Sequence, residues 1–137
     1  MPDNSWDAAM TALVSAQRDF MNGDATGLQA LYSHRDDVTV MGGFGGFERG
    51  WVEVGARLAW AALHFHGGEY GQEIISMTVG RDVACLVCLE RWARNAHDGR
   101  PLPTMELRVT QMFRLEGDRW RLVHRHADEL VQKREPN

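Results

Sequence analysis

Apolar residues recur at helical spacing in three segments of the first half of the chain. The first begins after Ser5, a residue type that commonly caps a helix, and ends at residues 22–23. A short second helix is predicted after Asp24 and stops near residues 33–35. A third runs from residue 48 or 50 to about residue 65. The apolar positions of the three predicted helices are, in order, Trp6, Met10, Leu13, Val14 and Phe20, then Leu28, Leu31 and Tyr32, and finally Trp51, Val54, Leu58 and Phe65.

The remaining segments alternate between apolar and polar positions, which is typical of strands. A short strand is predicted at residues 37–41, directly before a glycine-rich loop at residues 42–47. The loop contains too many glycines for regular structure, and we expect it to form the rim of a pocket. Four longer strands are predicted at residues 70–79, 83–96, 105–115 and 120–128.

Three helices followed by an antiparallel meander, with one extra strand before the third helix, indicate an α+β fold. We expect a single domain over residues 1–137, with the three N-terminal helices on the concave face of a bent antiparallel sheet. Such a cone-shaped sheet leaves a cavity under the helices, which is a common setting for a ligand pocket.

Composition narrows the class of protein without naming it. Apolar residues make up 44% of the 137 residues and charged residues 25%, a mixture typical of soluble domains. The net charge of −4 argues against nucleic acid as a partner, and the apolar runs are too short to span a membrane. No secretory signal is apparent, so a cytoplasmic location is expected. Cys85 and Cys88 would point to opposite faces of a strand, which favours free thiols over a redox pair.

Five local patterns occur along the chain in an order typical of one superfamily. They are a helix break at Asn22-Gly23-Asp24, a strand at residues 37–40 entering the glycine-rich loop, a helix start at Gly50-Trp51, a turn at Gly80-Arg81-Asp82, and a closing hairpin at residues 108–128. In this order they resemble the nuclear transport factor 2-like superfamily, and within it the SnoaL-like and ketosteroid-isomerase-like proteins. The Trp and Val-His-x-His pattern of the hairpin is also similar to the association domain of calcium/calmodulin-dependent kinases.

The resemblance implies a cone-shaped pocket and a homodimer formed through the outer face of the sheet. It also implies a mixed set of functions, because members include isomerases, cyclases, dehydratases and modules that only bind or associate. Fold alone therefore does not name a reaction.

The closing hairpin contains the first candidate site. Pairing around Gly117-Asp118 predicts Leu115 opposite Trp120, Phe113 opposite Leu122, Gln111 opposite His124, and Val109 opposite His126. If the histidine face points inward, His126 or His124 is a candidate general base, Asp128 orients it, and Arg108 stabilises an enolate. The alternative is that both histidines lie at a dimer interface.

The opposite face of the hairpin offers a second candidate site. If it points inward, Arg108, Thr110 and Arg125, with Arg91 from the neighbouring strand, would hold a carboxylate or another anion. Alternatively, Arg108 and Arg125 lie on a solvated face and pair with Glu106 and Glu90. The association domain has arginines along its cavity, but Thr110 and Ala127 stand at two of the corresponding positions here.

Aromatic residues complete the candidate pocket. Those expected to contact a ligand are Trp51, Trp60, Tyr70 and Phe44. The isomerase resemblance would require an acidic base after the first long strand, and the loop at residues 42–47 contains no carboxylate. His64 and His66 do not share a helix face, so neither a metal nor another cofactor is expected.

Two functions remain open from the sequence. The first is a small-molecule-binding protein, with an isomerase, dehydratase or cyclase activity that acts by proton transfer on a small organic substrate, acidic if the arginines face it. The second is a non-catalytic ligand-binding or association module, which the missing isomerase base favours.

Overall fold

The computed structural model describes residues 5–136 and has the expected α+β architecture. Three helices, α1 (Trp6–Met21), α2 (Thr26–Leu31) and α3 (Trp51–Ala62), pack on one six-stranded sheet. Its strands are β1 (Thr39–Met41), β2 (Glu48–Arg49), β3 (Gly68–Val79), β4 (Val83–Arg94), β5 (Met105–Glu116) and β6 (Arg119–Glu129). No helix within residues 5–136 is long and apolar enough to cross a bilayer.

The strands lie in the order β2-β1-β6-β5-β4-β3. All neighbouring pairs are antiparallel except β1 and β6, which run parallel, so the sheet is mixed rather than purely antiparallel. The two-residue strand β2 was not predicted, because so short a strand gives no alternating pattern.

The helix ends follow the predicted local signals. The Ser5 hydroxyl accepts the Ala8 N–H at 3.2 Å, which caps α1. Gly23, at φ +89°, ends α1 with a backbone conformation that favours glycine. The Asp24 carboxylate accepts the Thr26 N–H at 2.9 Å at the start of α2. These caps place the apolar face of each helix against the sheet.

The alternating burial of β4 and β5 assigns one face of each strand to the core. Ala84, Leu86, Cys88, Glu90 and Trp92 are buried along β4, and Leu107, Val109, Gln111 and Phe113 along β5. Cys85 lies on the other face, and both cysteines are free, as the alternation predicts.

A β-bulge in β6 changes the predicted pairing of the closing hairpin. Leu115 pairs with Trp120 and Phe113 with Leu122, as expected, but the next residue of β5, Met112, pairs with His124. Val123 is therefore the extra residue. The predicted pairs Gln111–His124 and Val109–His126 are wrong. Their observed partners are Arg125 for Gln111 and Ala127 for Val109.

The bulge reverses which side chains of β6 face the helices beyond Val123. Leu122, Arg125 and Ala127 are buried on the core side, while His126 is exposed on the outer side. The sequence predicts two hairpin faces that each continue unbroken along both strands, and the bulge makes both predictions wrong. The inner face contains Gln111 from one predicted face and Arg125 from the other.

Candidate functional site

A cavity of about 70 Å³ lies between the helices and the inner face of the sheet. Its wall is mainly apolar, with the amide of Gln17 and two arginines as exceptions. The residues that line it are Gln17, Phe20, Leu28, Tyr32, Val40, Gly42, Gly43, Phe44, Arg57, Leu58, Ala61, Phe65, Trp92, Met105, Leu107, Leu122 and Arg125. All three helices, four strands and the glycine-rich loop therefore contribute to one site.

A buried ion pair forms the polar side of this cavity. Arg125 Nη2 donates to Glu90 Oε1 at 2.6 Å, and Arg125 Nη1 donates to Glu90 Oε2 at 2.9 Å. The Glu90 side chain is 0% exposed and that of Arg125 is 11% exposed. Such bidentate, charge-assisted bonds offset part of the cost of burying both charges.

Neighbouring side chains complete the hydrogen bonds of the pair. The Trp92 indole donates to Glu90 Oε1 at 2.9 Å, and the Tyr70 hydroxyl donates to Glu90 Oε2 at 3.1 Å. Arg125 Nη1 also donates to Gln111 Oε1 at 3.2 Å. Both carboxylate oxygens of Glu90 thus accept two hydrogen bonds each.

The charge state of the pair follows from these contacts. Burial raises the pKa of Glu90, but the Arg125 guanidinium and the hydrogen bonds to the carboxylate outweigh burial and hold the pKa below its usual value. Burial likewise opposes the charge of Arg125, yet Glu90 raises the pKa of its guanidinium overall. Both groups are charged at neutral pH, and their charges cancel.

Two buried amide nitrogens have no hydrogen-bond partner within residues 5–136. They are Nε2 of Gln17 and Nε2 of Gln111. Gln17 belongs to the cavity wall and is 1% exposed. A buried donor without a partner is costly, and Gln17 brings such a donor to the cavity wall.

The titratable side chains of the wall are few within the described part of the chain. They are Tyr32, Arg57 and Arg125, with no histidine, carboxylate, cysteine or lysine among them. Burial raises the pKa of Tyr32, and its hydroxyl donates to the Thr39 carbonyl at 3.2 Å. None of these three groups is a general base near neutral pH.

The mouth of the cavity is formed by the glycine-rich loop and the end of α3. Arg57 lies over the Trp60 ring, with its Cζ 3.9 Å from the ring centroid, and donates to the Gly45 carbonyl at 3.2 Å. Phe44 contacts the Trp60 ring edge-on at 5.8 Å between centroids. Gly42, Gly43 and Phe44 of the loop line the cavity, and the loop is held against α3 by the aromatic contact and by the hydrogen bond from Arg57.

Four of the sequence-predicted site residues come together on the opposite side of the sheet. Arg108, Thr110, His126 and Asp128 line an open groove on the outer face, with Ile75, Val87 and Leu89 beside them. Arg108 binds both carboxylate oxygens of Asp128, at 2.9 and 3.0 Å, rather than pairing with Glu106. These side chains do not reach the cavity.

His124 and Arg91 also lie on the outer face. His124 Nδ1 is 2.7 Å from the Thr39 hydroxyl, and partial burial together with nearby His126 lowers the pKa of His124. Arg91 is exposed and stands opposite Glu106 in the β4–β5 pairing. Neither residue contributes to the cavity wall.

The remaining predicted contacts are divided between the cavity and its surroundings. Phe44 and Arg125 line the cavity, and Trp60 stands at its mouth, 41% exposed. Tyr70 lies outside the wall and contacts the wall residue Trp92, with 4.9 Å between ring centroids. Trp51 stacks on His34 at 3.9 Å and lies outside the wall.

Sequence reasoning passed over Glu90 and Gln17 as site residues. Glu90 was weighed only as a partner of Arg125 on a solvated face, whereas the pair is buried. Its signal was an acidic residue at an inward position of an otherwise apolar alternation. Gln17 gave a similar signal, since it falls on the buried stripe of α1 between Leu13 and Phe20.

Comparison with solved structures confirms the fold. A proposed calcium/calmodulin-dependent protein kinase type II association domain from Thiobacillus denitrificans superposes with a TM-score of 0.75 at 20% identity, covering 96% of this chain and 100% of that one. A proposed dehydratase of the nuclear transport factor 2-like family from Streptomyces avermitilis gives 0.71 at 20% identity, covering 92% and 94%. A ketosteroid isomerase-like protein from Erwinia carotovora atroseptica gives 0.69 at 18% identity, with the same coverage.

These identities establish a shared fold and no shared activity. No curated protein of related sequence matches the chain. The family model of the SnoaL-like domain matches residues 7–128, which include all of the helices except Trp6, all but the last residue of β6, and the whole cavity wall. The chain therefore belongs to the SnoaL-like domain family.

Proposed function

We propose that this protein binds a small, mainly apolar organic molecule in the cavity under the helices. The observation that carries the proposal is a wall that combines apolar side chains with a few fixed polar groups. This combination is typical of ligand pockets, in which apolar contact provides affinity and polar groups provide orientation.

The same wall favours binding over proton transfer. An isomerase, dehydratase or cyclase of the kind expected from the resemblance needs a general base beside its substrate. Among the described residues of the wall there is none, and the nearby Glu90 is ionised but uses both oxygens for Arg125, Tyr70 and Trp92. A reaction that used His126 would have to place its substrate in the open outer groove.

Filling the cavity tests this proposal. Ala61→Leu adds a larger side chain to the wall, while Ala59→Leu makes the same change at an exposed position of the same helix. A library of small ketones, amides, alcohols and acids is screened by two-dimensional amide NMR spectra. We expect ligands that bind wild type and Ala59→Leu but not Ala61→Leu. Ligands that bind all three equally would place the binding site elsewhere and contradict the proposal.

We propose as a second function that two copies associate through the outer face of the sheet. The observation that favours it is a set of apolar side chains on that face: Ile75 and Val83 are exposed, and Ile75 lies beside Val87 and Leu89 in the outer groove. Two similar structures described as association domains are consistent with this use of the fold.

The association is tested by charge substitution. Ile75→Asp places a carboxylate beside the outer groove, and Val52→Asp is the control, because Val52 is 87% exposed on α3. Sedimentation velocity over a range of protein concentrations should show a dimer for wild type and Val52→Asp, and a monomer for Ile75→Asp. A dimer that persists in Ile75→Asp would exclude this face as the interface.

A further inference from the structure

The polar groups of the cavity restrict the chemistry of what can bind there. We infer that the cavity selects an uncharged molecule carrying a hydrogen-bond acceptor, such as a small ketone, and discriminates against a carboxylate. The inference rests on the proposed binding function and names the class of ligand for that site.

The first step is the unused donor. The Gln17 amide is almost fully buried, belongs to the cavity wall, and has Nε2 without a partner in the described part of the chain. A carbonyl oxygen that enters the cavity can accept this N–H, so binding relieves a cost that the unliganded protein bears. Gln111 does not provide an equivalent group, because it lies outside the wall and its oxygen is fixed by Arg125.

The second step is the charge balance. Arg125 is the deepest cation of the wall, but its two terminal nitrogens already bind Glu90, whose negative charge stands directly behind it. A carboxylate entering the cavity would lose its hydration and meet a pair with no net charge. It would also be repelled by Glu90.

The cation at the mouth does not change this balance. Arg57 is 29% exposed, donates to the Gly45 carbonyl, and has Nε 3.7 Å from Glu48 Oε1. Its charge is thus shared with a carboxylate and with solvent, so it offers an anion little compensation inside the cavity. This departs from the arginine-lined, anion-holding cavity that the hairpin sequence suggested.

A pair of isosteric probes tests the inference on the wild-type chain. 3-Methyl-2-butanone and isobutyrate share a branched skeleton and differ by a methyl group in place of a charged oxygen. We titrate each and follow backbone amides of the wall together with the Gln17 side-chain amide, identified by its loss in Gln17→Met. The ketone should shift the Gln17 amide signals and bind at least about tenfold more tightly than isobutyrate.

A variant then tests the role of Gln17. Gln17→Met keeps the length of the side chain and removes its donor, and we expect the ketone to bind about three- to tenfold more weakly. Gln29→Met is the control, because Gln29 lies outside the wall and donates to the Gly55 carbonyl at 3.0 Å. It should leave the affinity for the ketone unchanged.

The possible results distinguish a failure of this inference from a failure of the proposed binding function. Equal or tighter binding of isobutyrate within the cavity, or unchanged ketone affinity in Gln17→Met, would overturn the inference and leave the binding function standing. If neither probe perturbs any residue of the wall, the proposed function itself fails and the inference with it.

Discussion

Two bidentate arginine–carboxylate pairs that each join two strands of the sheet lie on opposite faces, and their settings differ. Arg125 and Glu90 are enclosed on the inner face, with side chains 11% and 0% exposed, whereas Arg108 and Asp128 on the outer face are 58% and 47% exposed. The donor–acceptor geometry is similar, at 2.6 to 3.0 Å in both. The surroundings rather than the geometry therefore decide how much each pair contributes to stability. Removing one member of the inner pair leaves a buried charge without its partner, whereas removing one member of the outer pair leaves a charge that water can hydrate.

Removing the acid from each pair should give the largest difference. Glu90→Gln leaves Arg125 charged and buried, so we expect the free energy of unfolding to fall by about 3–5 kcal/mol. Asp128→Asn leaves Arg108 hydrated and should cause no measurable change. Urea denaturation of both variants provides the test, and similar losses for the two would show that the inner pair is not enclosed.

Removing both members of the inner pair sharpens the same comparison. Glu90→Gln combined with Arg125→Met leaves no buried charge, and the double variant should regain about 2 kcal/mol or more of what Glu90→Gln loses. The measurement is a double-mutant cycle that includes Arg125→Met alone. Losses that simply add would mean that the two side chains are energetically independent, against the contact observed.

The Gln17 amide, whose Nε2 has no hydrogen-bond partner in the described part of the chain, predicts a smaller change in the free energy of unfolding, in the opposite direction. In the absence of ligand, Gln17→Met removes a buried donor without a partner and should raise the free energy of unfolding by about 1 kcal/mol. Gln29→Met, which loses a hydrogen bond that exists, should not be stabilised. Thermal and urea unfolding would show this, and destabilisation of Gln17→Met would mean that its amide is satisfied in the folded protein.

The outer face predicts the smallest effect, a pH dependence. Partial burial and nearby His126 lower the pKa of His124 below its ordinary value of 6.5, so the folded protein binds a proton there less readily than the unfolded chain. The contribution of unprotonated His124 to the free energy of unfolding is therefore fully present above pH 6.5, and it is lost as the pH falls through the lowered pKa. His124→Gln should flatten this slope in urea titrations, whereas His97→Gln, at an exposed position, should keep it.

The inner and outer faces were not equally predictable from the sequence. Alternation along β5 correctly puts Gln111 and Arg108 on opposite faces, because a regular strand repeats every two residues, but it left open which face points inward. The turn at Gly117-Asp118 correctly sets the first two pairs of the hairpin. Superfamily, helix caps and the loop at the cavity rim could also be recognised from local patterns.

The bulge was not predictable in this way. The segment contains no glycine, and its local sign is the apolar pair Leu122-Val123 before three polar residues, which breaks the alternation without indicating which residue is extra. Only tertiary packing requires it, because Ala127 must join Leu122 in the core while Arg125 reaches Glu90. Every site residue beyond Val123 was therefore left with two candidate faces.

The extra residue in β6 also affects how relatives of this chain should be compared. In a homologous protein whose strand lacks this extra residue, the side chains beyond the bulge position would point to the opposite face of the sheet, even if the residues were spaced in the same way along the sequence. Counting from the hairpin turn would then match an inner arginine with an outer histidine. Catalytic or binding residues should be transferred to or from this strand by cross-strand partner, with Gln111 and Arg108 as reference points, rather than by position in an alignment.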